Sequence, residues 1–145
     1  MTTTASRADG AHAPARSRTT LFSALAGLTA LAILLQGLWA GLFVPLGEGG
    51  QYRQTWVEVH AHGGEAATLL ALVTAAVAFF TLRARRELWI GAGVLTVLLA
   101  LELYIGGMIS DESVRTAAAI HIPLALAIMA LAVWLPLRAR YAGRS

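Results

Sequence analysis

Apolar residues in this chain are gathered into four long runs, without the strict alternation of a strand or the one-sided stripe of a helix at a water surface. The runs are TTLFSALAGLTALAILLQGLWAGLFVPL (residues 19–46), AATLLALVTAAVAFFTL (66–82), LWIGAGVLTVLLAL with its continuation past Glu102 (88–109), and AAAIHIPLALAIMALAVWLPL (117–137). A spanning helix needs about 17–25 residues of this kind. The first and fourth runs suffice alone. The second suffices if its helix begins near Trp56, and the third if Glu102 is tolerated inside. The pattern therefore predicts an all-α, four-helix transmembrane bundle with helices over residues 19–46, 56–83, 87–109 and 116–138. Residues 1–18, small, polar and basic, read as a disordered tail, and residues 141–145 as a second, short one. The first run is too long for a signal-peptide core and ends in no small-x-small cleavage site, so it is expected to stay as an uncleaved span.

Composition agrees. The chain is 57% hydrophobic and only 13% charged, against about 25% charged in a soluble domain. All eleven of its basic residues other than histidine are arginines, a usage that points to a GC-rich bacterial genome. If the N-terminus lies inside, nine arginines (7, 16, 18, 83, 85, 86, 138, 140 and 144) flank inner helix ends, and two (Arg53 and Arg115) lie outside. That asymmetry predicts both termini in the cytoplasm of a bacterial plasma membrane. The basic balance is thus explained by topology, and no nucleic-acid partner is implied. Tyr52, Trp56 and Tyr104 would form the outer aromatic belt, with Trp89, Trp134 and Tyr141 forming the inner one. Two internal likenesses suggest a pair of repeated helix hairpins: LLQGLWAGL with LLALELYIGG, and VHAHGGEAATLLAL with IHIPLALAIMAL.

The polar residues inside these runs are few and placed alike. Gln36 lies nine residues before Pro45, Glu102 eight before Ser110, and His60, His62 and Glu65 sit early in the second helix, with His121 early in the fourth. All fall in the outer third of the bilayer, where ionisable groups are costly and usually face the bundle interior to pair or to bind something. Small residues run in line with them: Gly64, Ala67, Ala71, Ala75 and Ala78 with His60; Ala118, Ala125 and Ala132 with His121; Thr29, Ala32 and Ala40 with Gln36. Such stripes let helices, or a flat cofactor, approach closely. Histidines on two facing helices of a four-helix bundle suit the axial positions of haem b. His60 and His62 point apart, being two residues along one helix. The small stripe favours His60 as the ligand, whereas depth counted from the inner arginines favours His62. Pro123 either frees the carbonyl of Ala119 or is a first-turn proline, according to where the fourth helix begins.

The combination of Gln36, VH…GG opening the second helix, a polar residue late in the third and IHIP opening the fourth resembles a family of small four-helix membrane proteins of actinobacteria. The layout also resembles one half of heme A synthase. That resemblance implies haem ligation by His60 and His121, although the chain has half that enzyme's length and lacks its Glu-x-x-His-Arg signature.

The expected function is therefore a membrane protein binding haem b for electron transfer or haem handling. The expected site residues are His60, His121, His62, Gln36, Glu102 and Gly64, with His60 and His121 on the metal. The partners expected are the lipid bilayer and a membrane redox protein or a second copy of the chain. Two other readings are a non-haem zinc or copper site that adds His62 and Glu65 or Glu102, and an accessory protein whose polar groups only fix helix register. Neither a P-loop, a Gly-x-Ser-x-Gly elbow nor a zincin helix is present, so the sequence assigns no enzymatic reaction. A reporter fused after Ser145 should fluoresce as a cytoplasmic protein and show no phosphatase activity of the periplasmic type; the reverse result would invert the topology.

Overall fold

The computed structural model describes residues 13–44, 51–109 and 116–141, with side chains from Ser17 onward. The expected tail up to residue 12, Arg16 as a side chain, the connections holding Pro45, Ser110 and Arg115, and residues 142–145 lie outside it. The described chain forms α1 (Ala13–Phe43), α2 (Gln51–Thr81), α3 (Arg86–Ile109) and α4 (Ala118–Tyr141), and no strand. Each of the four contains a stretch long and apolar enough to span a bilayer.

The helix ends differ from the apolar runs for local reasons. α1 starts at Ala13, inside the segment expected as a tail, since alanine favours a helix and Pro14 sits in a first turn that needs no proline N–H. It ends at Phe43, just short of Val44, whose helical conformation the following Pro45 disfavours. α2 starts five residues before Trp56, at Gln51, in a polar turn stitched by Thr55 Oγ1 to the Gln51 carbonyl (3.0 Å) and Gln54 Nε2 to Glu58 (3.2 Å). α4 starts at Ala118, which places Pro123 in its second turn. The proline ring therefore removes the donor that the Ala119 carbonyl would otherwise meet.

Each helix packs against two neighbours, in the ring α1–α2–α3–α4–α1. Apart from Ser23, which is buried beside Phe22, the buried positions of the four helices follow one rule. They are Phe22, Ala26, Thr29 and Ile33 on α1; Ala67, Ala71, Thr74 and Ala78 on α2; Leu88, Ala92, Leu95 and Leu99 on α3; Ile128, Ala132, Leu135 and Ala139 on α4. The spacing is four, three, four throughout, the seam of a bundle whose helices stay in contact along their length. α2 contributes only alanine and threonine to this seam, so the partner helices come close to it. There the hydroxyls of Thr29 and Thr74, 3.2 Å apart, link α1 to α2, while each also lies within 3 Å of a carbonyl one turn back in its own helix. Ala75, expected in the stripe, lies half-buried at its edge.

The opposite faces are apolar and open. Phe80 is 70% exposed, Leu126 69% and Val97 67%. In water such a surface would aggregate; in hydrocarbon it is the solvated face. The chain is built as a multi-pass membrane protein.

At the arginine-rich end, α2 and α3 are joined by a turn in which the Leu82 N–H still reaches the Ala78 carbonyl and the Arg85 N–H the Leu82 carbonyl, both at 2.8 Å. Arg85 then ties this turn to the end of α4. Its guanidinium donates to the carbonyls of Ala139 and Arg138, each at 3.1 Å. Those carbonyls belong to the last turn of a helix, where no backbone donor remains for them.

The closeness of α2 gives a test of the packing. Ala71→Leu, at a position only 1% exposed, should destabilise the bundle by about 1–3 kcal/mol through overpacking, read as a lower midpoint of thermal unfolding in detergent. Ala66→Leu, on the exposed face of the same helix, should leave it unchanged.

Candidate functional site

Extended toward the other end of the bundle, the four seams turn polar together. Continuing by threes and fours from Ile33 gives Gln36, from Ala67 Gly64 and His60, from Leu99 Glu102 and Gly106, and from Ile128 Ala125 and His121. The same geometry that buries leucine and alanine below therefore aims an amide, two imidazoles and a carboxyl inward above. Counted along the helices from Arg18, Arg86 and Arg138, Gln36, Glu102 and His121 lie about 24–27 Å from the arginine end. That depth is near the far limit of a hydrocarbon layer about 30 Å thick.

The expected meeting of histidines occurs. The His60 and His121 rings have centroids 6.4 Å apart, with planes at 68°. Each ring has its Nδ1 close to a fixed oxygen. His60 Nδ1 lies 3.1 Å from the backbone carbonyl of Gln36, and a neutral imidazole with its proton on Nδ1 would donate there. His121 Nδ1 lies 3.1 Å from Glu102 Oε1, although the pair is not aligned as a hydrogen bond. The Phe43 ring meets His60 edge-on at 5.5 Å. Glu102 faces the bundle as expected, its side chain only 12% exposed.

Three glycines make this density possible. A β-carbon at Gly63 would overlap the Trp39 indole and the Gln36 amide nitrogen. One at Gly64 would press on Leu103 at 3.3 Å and touch the Gln36 amide oxygen at 3.8 Å, and one at Gly106 would press on His121 Cε1 at 3.2 Å. Of these only Gly64 was expected at the site. The signal for Gly106 lay in the sequence, four residues past Glu102 on the same seam.

His62 is not brought into the cluster. Its side chain is 79% exposed and its Nδ1 lies 3.2 Å from Glu65 on the outer surface of α2. The zinc or copper arrangement that required His62 beside His60 and His121 is thereby corrected. The helix continues through residues 58–62 without a break, so the two histidines diverge. Among the described residues no group of three or more histidine, aspartate or glutamate side chains is placed to hold a bare metal ion.

Several buried polar atoms of the cluster and its rim have no hydrogen-bond partner among the described residues: both amide atoms of Gln36, both carboxyl oxygens of Glu102, His121 Nδ1 and the indole Nε1 of Trp56. Buried polar groups are normally paired, and a concentration of unpaired ones needs an explanation.

Gly63→Ala tests the cluster directly. It should displace Trp39 and Gln36, so that the chain still inserts but its tryptophan emission shifts and its unfolding midpoint falls. Gly93→Ala, where a β-carbon meets open space, should do neither.

No protein-family model matches this chain, and neither a curated protein nor a solved structure is significantly similar to it.

Proposed function

We propose that this protein is a haem-b-binding protein of the bacterial plasma membrane, with both termini cytoplasmic, that serves electron transfer or haem handling near the outer face. The observation that carries the reading is the pair of inward histidines on alternate helices, their rings 6.4 Å apart with each Nδ1 close to an oxygen of a third residue. At His60 the contact of Nδ1 with the Gln36 carbonyl leaves Nε2 free to ligate and fixes the ring's orientation, a role that carbonyls perform around many metal sites. Two imidazoles facing each other in this way could hold one metal ion between them. A porphyrin supplies four nitrogen donors itself, so two protein ligands suffice where a bare ion would need three or four.

When bound, haem supplies a one-electron iron couple. The chain's own contributions are distinct from it. His60 and His121 would hold the metal, the Gln36 carbonyl would orient His60, and the Glu102 carboxyl lies beside His121. Gly64 and Gly106 keep β-carbons out of the space beside the Gln36 amide and the His121 ring, and the surrounding apolar helices exclude water. Support also comes from the unpaired polar atoms. A cluster whose purpose was only to fix helix register would pair its own groups, whereas the Gln36 amide and the Glu102 carboxyl are left over.

Protein purified from haem-sufficient cells should show a Soret band. His60→Ala and His121→Ala should each abolish the bis-histidine spectrum and lower haem content several-fold, while His62→Ala should keep both. A folded wild-type chain with no Soret band that binds added haem no better than the double histidine variant would refute the reading.

A further inference from the structure

We propose that the outer extension of α2 anchors the propionate carboxylates of the porphyrin through the Arg53 guanidinium and the Trp56 indole N–H, an inference that rests on the haem reading. α2 has 31 residues and so rises about 46 Å, more than the roughly 30 Å of a hydrocarbon core. Its first turns stand beyond the level of the cluster. Arg53 lies seven residues before His60, on the same seam, and Trp56 lies four before it, so both share the side of the helix that carries the histidine.

Both are donors without a hydrogen-bond or ion-pair partner among the described residues. Trp56 Nε1 is buried and makes no hydrogen bond among the described residues, whereas a buried indole N–H usually finds an acceptor. Arg53 is half-buried and forms no ion pair among the described residues. The nearby acids do not serve it. Glu58 accepts from Gln54, and Glu65 lies beside His62, with both acids on the exposed face of α2.

An anionic acceptor that is held at His60 and His121 and extends outward would meet both donors. Haem b carries two carboxylate side chains, and an arginine beside an indole N–H suits a carboxylate in charge and in hydrogen-bond sense. The arrangement also fixes direction, with the carboxylates toward the outer surface and the apolar edge of the macrocycle toward the alanine seam of α2.

The test uses the full-length protein, depleted of any bound haem and titrated in detergent with haem b and with its dimethyl ester, in which both carboxylates are blocked. The readout is the Soret titration. Wild type should bind haem b about tenfold or more tightly than the ester, as expected for loss of a charge-assisted hydrogen bond. Arg53→Gln combined with Trp56→Phe should lose that preference by weakening haem b alone, and Arg53→Lys should retain most of it. Helix content and elution volume should match wild type throughout. Equal wild-type affinity for the two porphyrins, or a double variant that still prefers the free acid, would overturn the anchor while leaving the histidine site standing. Binding of neither porphyrin by folded wild type would instead remove the haem reading itself.

Discussion

The constraint on which this structure depends is the four-three spacing of inward positions, carried on all four helices at once. Hydrocarbon gives no hydrophobic reason for helices to associate, so close packing must hold them together. The alanines and threonines of α2 supply that closeness, and the larger Leu88, Leu95, Ile128 and Leu135 fill the space opposite. Because the spacing does not change toward the outer end, whatever stands at Gln36, His60, Glu102 and His121 is delivered to the same interior. The candidate site is a continuation of the core with different side chains.

This continuity explains how polar groups survive there. A carboxyl or imidazole facing lipid would be opposed by several kcal/mol. Facing inward, His60 finds the Gln36 carbonyl and His121 lies beside the Glu102 carboxyl. The glycines at 63, 64 and 106 are the steric counterpart. They give up side chains where an indole, an amide and an imidazole need the volume. At the other end Arg85 does a different task, closing the ring by capping α4 from the α2–α3 turn. The bundle is thus tied by charge and carbonyls at its arginine end, by the threonine pair Thr29–Thr74 in its middle, and by the polar cluster at its outer end.

The same frame sorts the two polar faces of α2. Trp56 and Arg53 share with inward-facing His60 one side of α2 by helical spacing, whereas Glu58, His62 and Glu65 form a separate stripe at the surface, met by Gln54 and by one another. Two histidines separated by one residue therefore have unrelated surroundings. A reading that treats the segment VEVHAHGGEA as one motif merges them; helical geometry divides them by about 200°.

The sequence alone determined the number of long apolar helices and the small-residue part of their inward stripes, because length, apolarity and period are one-dimensional properties. Gln36, Glu102 and His121 could be placed at one depth by counting from the arginines. The stripe of Ala67, Ala71 and Ala78 was legible from its spacing. Only the tertiary structure showed that His60 faces the bundle and His62 the surface, because that depends on which face of α2 meets α1 and α4, whereas the depth count favoured His62. It also decided that α2 runs unbroken from Gln51, which rules out the extended segment a three-histidine metal site would need. The contacts of Gly63 with Trp39, of Gly106 with His121 and of Arg85 with the end of α4 lie between residues far apart in the chain. Periodicity gives the direction in which a side chain points along its own helix; what it meets there is fixed only when the helices are set side by side.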